Sequence, residues 1–228
     1  MLALKLITAP LVEPLVVSDA VVKQTLRVID ASEDGFITLL LGKCREAAEL
    51  ICRRALITQQ WLMVLDKFPQ PGLDTSSANW YGPSWGTGPG PLTSIKPEGV
   101  TQYEIYIPLP PLQQVDSIYY WDSTTATKLL LDPSAYIVDN VSEPARVVPA
   151  INTTWPSTLN RINAVEVTFT AGYGTTGATV PNGIRTWILM MAATINDNRE
   201  LFAVLGKGKL QELPMYDGLL DAYRVVKY

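Results

Sequence analysis

The spacing of apolar positions changes along the chain and separates a helical beginning from a β-rich middle. From Asp30 to Leu56 apolar side chains recur at intervals of three and four residues, the period of an amphipathic helix of about six turns. Ser32 is a candidate N-cap for it. A shorter helix is predicted from Ser18 to Arg27. The apolar face of the long helix comprises Ile37, Leu40, Leu41, Cys44, Ala48, Ile51 and Ala55.

From Thr58 the period falls from 3.6 to 2, which indicates strands. Turn residues separate the alternating segments, as is typical of an antiparallel sheet or a small barrel. The predicted strands are TQQWLMVLD from Thr58, YEIYIPL from Tyr103, VDSIYYW from Val115, AYIVD from Ala135, ARVVP from Ala145 and AVEVTFT from Ala164.

Helical spacing returns after Pro181, a residue suited to a first helical position. An apolar stripe follows it, and a last short helix is predicted near Leu219. The pattern predicts an α+β fold with helical ends and a β-rich middle. The predicted parts are residues 1–57 for the first helical half, 58–170 for the β domain and 171–228 for the second helical half.

The segment of residues 69–99 interrupts the strands with six prolines and six glycines, a composition that defeats regular structure. Loops of this length are usually functional or disordered. Its large aromatic residues Trp80, Tyr81 and Trp85 argue against plain disorder. They form a candidate surface for stacking on sugars or for contact with a partner protein.

Composition removes several classes of function. The chain has no histidine, which excludes Ser-His-Asp triads and imidazole metal ligands. Cys44 and Cys52 lie on one predicted helix at about 12 Å from each other, too far for a disulfide. A net charge of −4 disfavours non-specific nucleic-acid binding. We expect no signal peptide, and no apolar run approaches the roughly 20 residues of a membrane span.

Two motifs imitate ligand sites without completing them. FTAGYG, from Phe169 to Gly174, places glycines after a strand, but no helix opens directly from it as a phosphate cradle requires. We interpret it as an exit from the β domain. Asp30, Ser32 and Asp34 resemble half of a calcium loop, but Leu41 stands where the closing glutamate belongs. We therefore predict no catalytic residue, no metal and no cofactor.

The order of the motifs LKLITAP, RALITQQW, PLPPLQQVDSIYYWD, LDPSAYIVD, WPST, VEVTFTAGYG and VPNGIRTWILMMAATINDNRE closely resembles that of head-tail connector (adaptor) proteins of tailed bacteriophages. The similarity runs from Leu4 to about Arg224. RALITQQW, FTAGYG and the helix ending in NRE are its most specific pieces, and residues 69–99 match least well.

This resemblance implies a bundle of about four helices with an inserted antiparallel β domain. It also implies a structural virion protein without enzyme activity, made in the host bacterial cytoplasm and located at the head-tail interface. Copies would form a ring, typically of twelve, beneath the portal protein. Genomic DNA would pass through the lumen without specific binding, and a downstream neck or tail-completion protein would dock on the far side. No membrane is involved. The mildly acidic balance suits a tunnel that does not grip DNA.

The resemblance also suggests which residues meet partners. A portal-binding tail would comprise Leu219, Tyr223, Arg224, Val225, Val226 and Tyr228. Contacts between subunits are assigned to Arg45, Glu49 and Arg53, and contacts on the tail side to Trp80, Tyr81 and Trp85.

Alternatives stay open. The last helix can instead pack on its own bundle, and any one charge of the long helix can belong to a solvated face. The Trp-rich loop can instead serve a carbohydrate- or receptor-binding virion module. A carboxylate-based enzyme is the third reading, which the lack of histidine disfavours.

Overall fold

The structure, a computed structural model, describes residues 2–69, 103–197 and 218–225. This part of the chain divides into two compact units. The sheet unit comprises residues 2–9, 59–69 and 103–172. The helical unit comprises residues 10–58, 173–197 and 218–225. The chain therefore enters and leaves the sheet unit more than once.

The helical unit contains four α-helices among the described residues. They are α1 (Ala20–Leu26), α2 (Asp34–Cys52), α3 (Asn182–Asp197) and α4 (Gly218–Asp221). Their apolar faces form one core, as the helical periodicity predicts. Its buried members are Leu15, Val22, Leu26, Ile37, Leu40, Leu41, Cys44, Ala48, Cys52, Leu56, Ile57, Val180, Ile184, Trp187, Ile188, Ala192 and Leu220.

The start of α2 differs from the prediction. Ser32 does not cap the helix, because its N–H and hydroxyl both donate to the carboxylate of Asp30. This local turn competes with capping, as short polar side chains often do. The helix begins at Asp34, with Glu33 at the N-cap position.

The sheet unit contains two antiparallel sheets in the described residues. One has the strand order β1-β2-β8-β4-β5 and the other β3-β7-β6, so the single sheet or small barrel is replaced by two sheets. The strands are β1 (Leu2–Thr8), β2 (Gln59–Leu65), β3 (Ile105–Ile107), β4 (Leu112–Trp121), β5 (Lys128–Leu130), β6 (Tyr136–Asp139), β7 (Ala145–Pro149) and β8 (Val165–Ala171).

The centre of the larger sheet is β8, which pairs with β2 on one side and β4 on the other. Its residues alternate strictly between buried and half-buried, so its sequence period of 2 is also its burial period. Val165, Val167 and Phe169 are fully buried. In the same unit, the rings of Phe68 and Trp155 stack with centroids 4.8 Å apart.

The placement of residues 1–57 in a helical half is wrong for its first residues. Leu2–Thr8 is a strand, and Leu4 pairs with Met63 of β2. Most side chains of β1 are exposed, and the strand lies at the edge of the sheet. An edge strand without a regularly buried face need not alternate between apolar and polar residues. The three-residue strand β5, also exposed, was missed for the same reason.

Candidate interaction surfaces

FTAGYG is the connection out of β8, and its local geometry explains its glycines. Gly172 has φ 131°, a conformation that side-chain-bearing residues rarely adopt. Its N–H donates to the carbonyl of Pro111 at 2.9 Å. The carbonyl of Gly174 accepts from the N–H of Thr58 at 2.9 Å, and α3 starts only at Asn182. The motif is a turn without a helix N-terminus at its end, as expected of an exit from a strand.

Arg45 is the centre of a buried ion cluster in the helical unit. Only 8% of it is exposed. Its Nε donates to Glu13 Oε2 at 2.8 Å, and its Nη1 donates to Glu49 Oε2. Glu49 also accepts the N–H of Leu56 at 3.0 Å through its other oxygen. The cluster therefore ties the segment before α1 and the segment after α2 to the middle of α2.

Burial raises the pKa of Glu13, and the charge of Arg45 opposes that rise. A carboxylate in this setting depends on its cation, since an uncompensated buried charge is costly. We therefore interpret Arg45 and Glu49 as residues that hold the helical unit together.

Of the three residues assigned to contacts between subunits, only Arg53 is exposed. Arg53 is exposed and ends α2 in a left-handed conformation with φ 55°. Arg45 is buried and Glu49 is half-buried, and Arg45 pairs both with Glu49 and with Glu13 of the segment before α1. A contact of these residues with another subunit stays a prediction.

The C-terminal residues 218–225 pack on the helical unit. Leu220 is fully buried, and the ring of Tyr223 packs against the same core. Arg54 Nε donates to the carbonyl of Tyr223, and the N–H of Val225 donates to the carbonyl of Cys52 at 3.1 Å. This matches the alternative of a last helix packed on its own bundle.

The predicted portal-binding residues consequently differ in their surroundings. Leu219 and Arg224 are exposed, and Arg224 pairs with Asp221 at 3.2 Å. Tyr223 is half-buried and Val225 is buried. Val226 and Tyr228 lie outside the described residues, and a role in portal binding stays a prediction for all six.

A second ion cluster lies on the three-stranded sheet. Arg146 Nε donates to Asp139 Oδ2 at 2.8 Å, and its Nη1 donates to Glu104 Oε1 at 3.3 Å. Hydrogen bonds from Ser142 and from Arg146 hold the pKa of Asp139 far below its usual range. Burial and the carboxylate of Glu104 raise the pKa of Tyr106 to about 12.

This cluster lines an open depression, but its chemistry is that of a structural ion pair. A general acid needs a raised pKa near the working pH. Asp139 is held ionised instead. The depression therefore offers the ionised carboxylate of Asp139 and the guanidinium of Arg146 as fixed charges.

Metal ligands and reactive thiols are likewise lacking in the described part of the chain. No group of three or more acidic or cysteine side chains there is placed to hold a metal ion. Cys44 and Cys52 are free and buried, and burial raises the pKa of each thiol to about 11. Within residues 2–69, 103–197 and 218–225, no helix is both long and apolar enough to cross a membrane.

The tail-side residues Trp80, Tyr81 and Trp85, and almost all of the loop of residues 69–99, lie outside the described residues. Sequence reasoning missed Glu13 and Glu104 as ion-cluster members. Each is far in sequence from its arginine, so no local spacing marked the pair.

With four α-helices and antiparallel sheets in its described residues, the chain has the α+β fold that the sequence predicts. No protein-family model matches the chain, and no curated protein matches it either. Solved structures do share its fold.

A chain in the neck of an empty gene transfer agent (GTA) particle, computed with C6 symmetry, superposes with a TM-score of 0.66 at 17% identity; the match covers 99% of this chain and 97% of that chain. A chain in the virion of a native GTA particle gives 0.67 at 16% identity over 99% and 96%. A chain in the neck of a native GTA particle, computed with C12 symmetry, gives 0.54 at 17% identity over 99% and 97%. At these identities the likeness shows a shared fold.

Proposed function

We propose that this protein is a structural virion component of the neck, a head-tail adaptor whose copies form a ring beneath the portal. The observation that carries the proposal is the fold likeness to chains of GTA neck structures over nearly the full length of both chains. Agreement over a whole two-unit chain is more informative than a shared single motif. The ring extends the DNA tunnel and presents a docking surface for the tail or the next neck protein.

The copy number proposed for the ring is twelve. Neck structures with this fold were computed with C6 and with C12 symmetry, and both are compatible with twelve copies around one axis. A net charge of −4 on each copy suits DNA passage, because a surplus of cations would create long-lived phosphate contacts. The described residues support a non-enzymatic role, because the ion clusters around Arg45 and Arg146 are structural.

In this proposal the C-terminal residues meet the portal protein. Leu220 and Val225 anchor the segment to the helical unit, while Leu219 and Arg224 are exposed for a partner. Because the segment is already anchored, less conformational entropy is lost when its exposed side chains bind a partner.

Electron microscopy of particles from a phage with a stop codon in this gene tests the proposal. We expect DNA-filled or leaking heads without tails, beside finished tails if the phage assembles them separately. Re-supplying the protein from a plasmid is the control and restores complete particles. Intact virions that fail only to adsorb would overturn the adaptor role and indicate a receptor- or carbohydrate-binding module.

A further inference from the structure

The solvent face of α2 carries a second stripe of residues, separate from its core face. Leu39, Lys43, Glu46 and Leu50 follow one another at intervals of four, three and four residues, so they lie along one line of the helix. We name these four residues the outer stripe. Leu39 is 73% exposed and Leu50 is 79% exposed.

The outer stripe has the spacing of a coiled-coil seam, in which alternating three- and four-residue steps keep one line of side chains facing a partner helix. The core face of α2 already packs inside the helical unit through Ile37, Leu41 and Cys44. The outer stripe lies on the side of α2 away from this core, so its two leucines can be buried only by a partner outside the helical unit.

The outer stripe is self-complementary in the antiparallel orientation. When two copies of α2 are placed antiparallel about the middle of the stripe, Leu39 of each copy meets Leu50 of the other. Lys43 of each copy then meets Glu46 of the other. Every apolar position faces an apolar one, and every charge faces its opposite. A parallel pairing would instead place Lys43 against Lys43 and Glu46 against Glu46.

The charges are available for such an exchange. Lys43 Nζ lies 2.8 Å from Glu46 Oε2, and the two side chains are 77% and 54% exposed. An exposed pair on one helix contributes little to stability, so replacing it by pairs between copies costs little. Two leucine contacts at the ends and two charge pairs in the middle form one self-complementary surface.

We propose that two copies of this protein pair through the outer stripes of their α2 helices, antiparallel and about a two-fold axis. This contact closes on itself with two copies, whereas a ring needs head-to-tail contacts. The inference therefore does not rest on the proposed neck function. Its surface is small, so we expect a weak dimer with a dissociation constant on the order of 10–100 µM.

Charge reversal in single variants tests the pairing by analytical ultracentrifugation of the full chain. In Lys43→Glu alone and in Glu46→Lys alone, like charges face each other twice, and we expect dimerisation to weaken by about tenfold or more. When the two variants are mixed, each contact again joins a glutamate and a lysine. The mixture should therefore form a heterodimer about as tight as the wild-type dimer.

Two variants control for general effects. Lys5→Glu changes the net charge as Lys43→Glu does, but at an exposed position of β1 in the sheet unit, and should leave the dimer unchanged. The double variant Lys43→Glu/Glu46→Lys restores complementarity within one chain and should dimerise by itself. Circular dichroism checks that each variant is folded, which the exposure of both side chains favours.

Cysteine pairing gives the register independently. Leu39→Cys mixed with Leu50→Cys should form a disulfide-linked dimer under mild oxidation, while Leu39→Cys alone should not. Cys44 and Cys52 interfere little, because both are buried with a pKa of about 11.

The proposal is overturned if the wild type stays monomeric at about 1 mM, well above the expected dissociation constant. It is also overturned if the dimer forms unchanged in Lys43→Glu, or if the mixed variants do not form it. A cross-link of Leu39→Cys to itself would contradict the antiparallel orientation.

Discussion

At the scale of single residues, Arg45 shows that a helical period does not decide whether a residue beside the apolar face is exposed or buried. Arg45 lies beside the apolar face of α2, where either solvent or another segment can cover it. The segment that carries Glu13 covers it, and the resulting cluster joins parts of the chain that are 32 residues apart. Its charges are internal ties of the helical unit.

Replacing Arg45 by alanine should leave Glu13 and Glu49 without their cation in a largely buried site. We expect the free energy of unfolding to fall by about 3 kcal/mol, because breaking a buried ion pair leaves an uncompensated charge. Chemical denaturation measured by circular dichroism gives this value.

Arg224→Ala is the matched control, since it removes an arginine whose pair with Asp221 is exposed, and it should cost about 0.5 kcal/mol or less. A loss of similar size in both variants would contradict a structural role for the Arg45 cluster.

Asp139 makes the stability of the sheet unit depend on pH. Its pKa is lower in the folded protein than the usual value of 3.8, so it stabilises the fold fully above that value, and this contribution falls as the pH drops below it. Asp139→Asn should therefore flatten the fall of the melting temperature between about pH 5 and pH 2. Thermal unfolding over this range, with Asp197→Asn as a control for losing one carboxylate, measures the difference. Equal slopes in the two variants would refute it.

At the scale of elements, close approach of the backbone decides where glycine is needed. A methyl group added at Gly177 would overlap the carbonyl oxygen of Pro14, whereas one added at Gly35, inside α2, would meet nothing within 4 Å. The residues next to Gly177 in the sequence give no sign of this close approach. Only the packing of a distant segment distinguishes them.

These surroundings predict opposite effects for one substitution. Gly177→Ala should destabilise the protein by about 1–3 kcal/mol, because the backbone must shift to relieve the overlap. Gly35→Ala should stabilise it by up to about 1 kcal/mol, since alanine favours a helix over the unfolded chain. Differential scanning calorimetry of both variants against the wild type measures the shifts. A Gly177→Ala variant as stable as the wild type would show that the close approach is not maintained.

The elements also show how far sequence periodicity reaches. Long helices and alternating strands such as α2, α3 and β8 were predicted, because burial on one face imposes a period that the residues must follow. The edge strand β1 and the short strand β5 were missed, because exposed side chains are under no such constraint.

At the scale of the whole molecule, each unit is assembled from separated parts of the chain. The sheet unit takes its edge strand from the N-terminal residues, and the helical unit takes α4 from the C-terminal ones. The residues near both ends of the described chain are thus held by contacts with segments far away in the sequence, β1 by β2 and Val225 by Cys52.

If the C-terminal residues bind the portal protein, Leu219→Ala and Arg224→Ala should each weaken binding by about tenfold, as expected for a residue central to an interface. Both side chains are exposed, so the fold should not change. Co-sedimentation with purified portal rings measures the loss. Leu129→Ala, on an exposed position of β5, is the control. Binding at wild-type strength in both C-terminal variants would place the portal contact elsewhere.

By itself, the sequence determined the α+β class, the main helices and strands, and the role of FTAGYG as an exit from a strand, because each depends on neighbouring residues and on the periods of regular structure. Only the tertiary structure decided that the segment of Glu13 covers Arg45 and that Gly177 must lack a side chain. It also decided that β1 forms the edge strand of the larger sheet. Each of these depends on a contact between residues far apart in the chain. The neighbouring residues in the sequence do not specify such a contact, because any distant segment of suitable shape and charge could make it.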